Sequence, residues 1–122
     1  MRRFKGSDCP QILEWYRARG ITPMAGGSLP EIGYIIPGVA AGFLMQTDTA
    51  LALIDGLIAN PAVADDARDG ALDQVVAAVL KTASELGYTH IGGFTKLPVV
   101  AQRAKRHGFK VVGEFTMVIK GD

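Results

Sequence analysis

One acid in this 122-residue chain stands where acids are rare: Asp55 lies inside the apolar run Leu53, Ile54, Gly56, Leu57. A carboxylate held among aliphatic side chains is a candidate general base, because partial desolvation and a fixed position are what proton abstraction needs. Its plainer role is that of a residue on the exposed face of a sheet. The run it belongs to, residues 50–58, leads through an irregular acidic stretch, residues 59–69, into a helix. That order matters chemically, since the first turn of a helix leaves backbone N–H groups unpaired and carries positive partial charge, a setting suited to phosphate. The amides of Arg68, Asp69, Gly70 and Ala71 are the candidates here. The plainer alternative is that Asp66 caps the helix and Gly70 is an interior glycine costing roughly 1 kcal/mol against alanine. Electrostatics opposes the phosphate reading. Asp65, Asp66 and Asp69 crowd the same place, and a carboxylate about 6 Å from a phosphate charge repels it by about 3 kcal/mol at an effective dielectric of 20. Arg68 offsets one such repulsion.

A second group, Lys96, Arg103, Lys105, Arg106, His107 and Lys110, is basic with no acid among it. It reads as the solvated face of an amphipathic helix packing through Val99, Val100 and Ala104, and is too small to argue nucleic-acid binding. His90 and His107 read as a strand-end residue and a helix-end charge. Cys9 has no partner that would make it a nucleophile.

The elements that must position these residues follow from periodicity and punctuation. Residues 1–5 form a short edge strand kept soluble by Arg2, Arg3 and Lys5. A helix over residues 9–19 starts at the cap Asp8, with Gln11 completing a capping box, and stops at Gly20; Ile12, Leu13 and Tyr16 are its apolar side and Trp15 its margin. Residues 21–30, with their prolines and paired glycines, are a loop placed to shape a pocket. Strands over 31–36, 39–46 and 49–58 are joined by Pro37-Gly38 and Thr47-Asp48, connections so short that the strands must be antiparallel neighbours. Leu72, Val75, Val76, Val79, Leu80, Ala83 and Leu86 then recur at helical spacing until Gly87. A strand over 88–95 lies parallel to the one before the helix. Pro98 opens a shorter helix ending at Gly108, and residues 109–120 supply a last strand or strand pair, bent at Gly113.

The whole is expected to be one domain, 1–122, of mixed α/β (α+β) class, with a central, twisted, mostly antiparallel sheet flanked by helices. A hydrophobic content of 48% and a net charge of +1 are those of a soluble globular protein, with no global reason to bind nucleic acid or membrane. One cysteine and two histidines give neither an internal disulfide nor a zinc site, so no metal is expected. Met1 to Lys5 precede polar residues, where a signal peptide would have an apolar core, and a cytoplasmic location is expected.

This element order resembles the GNAT N-acetyltransferase superfamily over nearly the whole chain. The specific part is residues 57–109: a strand ending one residue before Asn60-Pro61, a loop reaching Gly70, a helix closing at Ala83 and Gly87, a strand, and a basic helix ending in Gly108-Phe109. The family's coenzyme signature is Gln or Arg, two residues, Gly, one residue, then Gly or Ala. Registered on Gly70, this sequence has Ala67-Arg68-Asp69-Gly70-Ala71-Leu72: the first glycine matches, Arg68 stands one place late, and Leu72 takes the second small position. Where the family often has a tyrosine four residues before its Gly-Phe pair, Ala104 stands, and Leu97 takes the place of a frequent asparagine.

The resemblance implies an acyl-CoA-dependent N-acyltransferase, moving an acetyl group from acetyl-CoA to an unidentified amine. It implies a coenzyme lying between the two parallel strands, with Leu57, Ile58 and Ala59 on one and Thr95 on the other; Arg68, Asp69, Gly70, Ala71 and Arg103 would border its phosphates. Asp55 would be the base, the free N–H of Ile58 or Ala59 the oxyanion donor, and Tyr34 or solvent the source of the thiolate's proton. Tyr34 more often would be sheet packing. The alternative is a catalytically inactive GNAT-fold module serving binding or assembly. The short ending after Gly108 leaves a sheet edge that a second copy could cover as a homodimer.

Overall fold

The computed structural model describes residues 1–22, 27–95 and 97–121. Its five-stranded sheet runs in chain order: β1 (Arg2–Arg3), β2 (Ile32–Ile36), β3 (Ala40–Met45), β4 (Leu51–Ala59) and β5 (His90–Gly92). The first three pairings are antiparallel and β4 with β5 is parallel, the mixed sheet that short turns followed by a helical crossover dictate.

Two helices seal the two faces. On one, α1 (Cys9–Ala18) sets Ile12, Trp15 and Tyr16 against Ile35, Ala41, Phe43 and Ile58. Trp15, expected at the margin, is only 4% exposed. On the other, α2 (Asp65–Glu85) sets Ala71, Val75, Val79 and Ala83 against Ala40, Leu44, Ala52 and Ala59. β3 is therefore covered on both sides, and Gly42 in its middle allows the close approach: a Cβ there would lie 2.8 Å from Val75 Cγ1 and 3.1 Å from Leu57 Cδ1.

Three expectations need correcting. Asp8 stands at the N-cap of α1 as expected but makes no side-chain cap bond there; its carboxylate accepts from Lys5 N at 2.8 Å and takes the Arg2 guanidinium bidentately at 2.7 and 2.9 Å. The local pull of a fork-shaped cation beside a turn of 3-10 helix, Gly6–Asp8, wins over the capping box. The acidic stretch is not a loop up to residue 69, because α2 begins at Asp65. Asp65 and Asp66 in its first turn complement the helix dipole and carry the helix one turn further back. Finally, β5 is three residues long, and residues 109–121 form no strand but leave Val111, Val112, Phe115, Met117, Val118 and Ile119 exposed. A strand takes its hydrogen bonds from a neighbour, and β5 offers too short an edge to anchor so long a segment. No described helix is long and apolar enough to cross a membrane.

Candidate functional site

The middle of β4 is bulged. Ala41 pairs with Ile58 and Phe43 with Asp55, so Gly56 and Leu57 together oppose Gly42. Gly56 absorbs the extra residue with a φ of +64°, a left-handed conformation natural to glycine. Beyond Leu53 and Gly92, β4 and β5 no longer pair, so the strands part just ahead of the bulge.

The bulge decides which amides face that gap. Asn60 N donates to Val39 O at 2.8 Å, and alternation along the ladder then turns the N–H of Ile58 toward β3 and that of Ala59 away from it, up to the irregularity at Gly56 and Leu57. Of the expected oxyanion donors, Ala59 thus points outward, whereas the Ile58 amide is engaged in the sheet and its side chain lies in the α1-side core; the Leu57 amide sits inside the bulge, off the regular ladder. Asn60 holds the end of the strand: its side-chain amide donates to Gly38 O at 2.9 Å and its Oδ1 accepts from Ala62 N at 3.0 Å.

Two α1-side groups meet the bulged stretch, one of which, Tyr16, the sequence had offered as an apolar contact. The Tyr16 hydroxyl donates to Gly56 O, and Arg19 Nε donates to Ala59 O at 2.8 Å. Burial first, and then the charge of nearby Asp55, push the Tyr16 hydroxyl well above the usual phenol range, so it stays a proton donor. Burial and the neighbouring cation of Arg68 lower the Arg19 pKa. Nothing in the spacing of residues 16 and 19 distinguishes them from ordinary helix positions.

Asp55 lies half-buried on the α1 face beside Tyr16. Tyr34 does not join it. It packs against the α2-side core, and its hydroxyl shares a 2.5 Å hydrogen bond with Thr82 Oγ1 while its ring lies under Arg3. The sheet separates the two residues expected to act together, because residue parity places them on opposite faces.

At the start of α2 the expected phosphate amides are already used. Arg68 N donates to Ala64 O at 3.0 Å, and Asp69, Gly70 and Ala71 follow within the helix, where N–H groups bond back one turn. The amides left over are those of Asp65, Asp66 and Ala67. Asp65 and Asp69 are answered by cations, as is Asp73 further along. Arg68 pairs with Asp65. From α3 (Pro98–Arg106), the buried Arg103 donates to Asp69 O at 3.0 Å, Asp69 Oδ1 at 2.7 Å and Asp73 Oδ1 at 3.0 Å. Arg106 reaches Asp73 at 3.2 and 3.3 Å, and His107 Nε2 lies 3.1 Å from it. Burial raises the Asp73 pKa, but the hydrogen bonds from His107, Arg103 and Arg106 outweigh it and hold the carboxyl below the usual range. Arg103 therefore fastens α3 to α2. Thr95 is exposed, and its Oγ1 accepts from Leu97 N at 3.0 Å. Lys96, and residues 23–26 of the loop expected to shape the acceptor site, lie outside the described residues.

No family model and no curated protein matches the sequence. Solved structures do match its shape. A protein named "Putative acetyltransferase from Agrobacterium tumefaciens str. C58" superposes with a TM-score of 0.67 at 19% identity, covering 98% of each chain. The fold is GNAT-like. A transcriptional regulator from Bacillus halodurans C-125 superposes on the same GNAT-like fold with a TM-score of 0.67 at 18% identity, over 98% of this chain and 97% of its own. Identities this low establish the shared architecture alone, and the two names differ in what they say those proteins do.

Proposed function

We propose that the chain is an acyl-CoA-dependent N-acyltransferase of the cytoplasm that moves an acetyl group from acetyl-CoA to an amine. The observation that carries this reading is the bulge in β4 at the edge of the gap left by β5, with the Leu57 amide inside it, the Ala59 amide turned outward and Asp55 alongside. The thioester carbonyl would lie in the gap with its developing oxyanion on one of those amides. Asp55, directly or through water, takes the proton of the attacking amine; the C–S bond breaks, and the thiolate, whose conjugate acid has a pKa near 8.5, collects its proton from solvent. The free amides of Asp65, Asp66 and Ala67, with Arg68 and Arg19 alongside, face the diphosphate. Asp69, Gly70 and Ala71 form the helical wall, and Arg103 holds α3 in place as the site's outer border.

Calorimetric titration with acetyl-CoA and coenzyme A tests the binding half, with Arg68→Glu expected to weaken both ligands. Asp55→Asn is expected to keep acetyl-CoA binding and lose turnover against a panel of amines. Silence at millimolar ligand removes the enzyme reading.

One observation favours a second reading, an inactive GNAT-fold module serving assembly. Phe94, Leu97, Val99 and the apolar side chains of 111–119 are exposed along one stretch of chain beyond β5, and exposed apolar side chains gathered in one region are what an interaction surface offers. In that reading a second copy covers the stretch as a homodimer. Sedimentation equilibrium showing one monomeric species across a wide concentration range excludes the dimer.

A further inference from the structure

Tyr16 and Arg19 stand three apart on one side of α1 and its C-terminal end, and the two carbonyls they bind, Gly56 and Ala59, stand three apart on β4. For the second pair the result is visible: the Ala59 carbonyl belongs to the same peptide plane as the Asn60 N–H, which is aimed at Val39 O. The first pair works by the same geometry. A trans peptide group is flat, with its oxygen and its hydrogen pointing opposite ways, and none of the peptide bonds described is cis. Whatever fixes the Gly56 oxygen fixes the Leu57 N–H as well.

We propose that Tyr16 is a positioning residue for acyl transfer, its hydroxyl setting the Gly56–Leu57 peptide plane so that the Leu57 N–H is aimed at the oxyanion; this rests on the transferase reading. A left-handed glycine inside a bulge has little of its own to hold that plane, since the ladder to β3 is out of register there, β5 has stopped pairing alongside, and Gly56 lacks a side chain. The hydroxyl is suited to the task. It is enclosed with its ring, 4% exposed, and space is kept for it: a Cβ on Gly56 would lie 2.6 Å from Tyr16 Oη. Its raised pKa keeps the proton that makes the bond. Preorganised donors contribute to catalysis because they need no reorganisation as charge develops.

Tyr16→Phe removes the hydroxyl and keeps the ring. Two readouts separate the proposal from the reading beneath it. By NMR, the Gly56 carbonyl carbon is expected to shift upfield in Tyr16→Phe while the Ala59 carbonyl, held by Arg19, stays in place; an unmoved Gly56 signal overturns the strut whether or not the protein is an enzyme. By steady-state kinetics with acetyl-CoA, kcat is expected to fall about tenfold, less than the loss of a whole oxyanion donor, with KM for acetyl-CoA within about twofold. An unchanged kcat, or a loss carried by KM, overturns the catalytic role. A carbonyl shift in a protein that turns over no acetyl-CoA refutes the transferase reading and with it the catalytic role.

Discussion

Placing a methyl group on Gly56 combines a steric clash with a left-handed backbone. The new Cβ would sit 2.6 Å from Tyr16 Oη and 2.9 Å from Phe43 Cδ2, on a backbone with φ at +64°. A left-handed alanine costs about 1–2 kcal/mol, and displacing two buried rings costs about 1–3 kcal/mol. Releasing the Tyr16 hydrogen bond adds about 1 kcal/mol. Because the displaced tyrosine and its lost bond overlap, the net expectation for Gly56→Ala is about 4 kcal/mol, out of a total near 6–18 kcal/mol for a domain of this length. With a urea slope of about 1.5 kcal/mol per molar, the midpoint should drop by about 2–3 M. Trp15, the one tryptophan and part of the α1-side core, reports the transition by fluorescence. Gly70→Ala is the control: its Cβ meets nothing within 4 Å inside α2, and it should raise stability by up to about 1 kcal/mol. In a Tyr16→Phe background the Gly56→Ala penalty should shrink by about 1 kcal/mol, since the closest atom is gone. A Gly56→Ala midpoint within about 0.3 M of wild type, near the error of such fits, would mean that the strand is not bulged in this way.

Arg103→Met should cost about 1–2 kcal/mol, the desolvated guanidinium being partly offset by the exposure of its acidic partners, and hydrogen exchange should show α3 losing protection before α2 does. Acid should weaken the same fastening. The folded Asp73 carboxyl is more acidic than its unfolded counterpart near 3.9, so its contribution is complete above that value and drains away as pH falls through the folded pKa. Asp73→Asn should accordingly flatten the acid limb of a melting-temperature profile between about pH 5 and 2, while a limb parallel to wild type would show that Asp73 is not held by its cations. Tyr34→Phe should lower stability by about 1 kcal/mol through the lost bond to Thr82 and spare turnover; a loss of acetyl transfer would return Tyr34 to the reaction.

The sheet was legible because its signals are local. Pro37-Gly38 and Thr47-Asp48 force antiparallel neighbours, and the spacing from Leu72 to Ala83 identifies the face of α2 that meets the sheet. The bulge was not legible: Gly56 stood within an unbroken strand, and the register depends on Gly42 across the ladder. The site's polar contacts were not legible. Tyr16 and Arg19 reach acceptors 40 residues away, and long-range pairing leaves no trace in spacing. The acids of α2 looked hostile to phosphate because Arg103 and Arg106, which answer Asp69 and Asp73, stand some thirty residues further along. Tyr34 misled for a simpler reason: parity along β2 assigns it a face, and which helix covers that face is a tertiary matter.

The seam between β4 and β5 is three residues long on each strand. A fork built this way resembles a pair of tongs, with the seam for a rivet and the guanidinium of Arg103 for a tie drawn across to the opposite arm. Whatever enters the jaws must fit the width the rivet permits or stretch a tie made of charge, and because the guanidinium of that tie is buried, salt screens it little. Grip on an occupant then belongs to the chain more than to the solution.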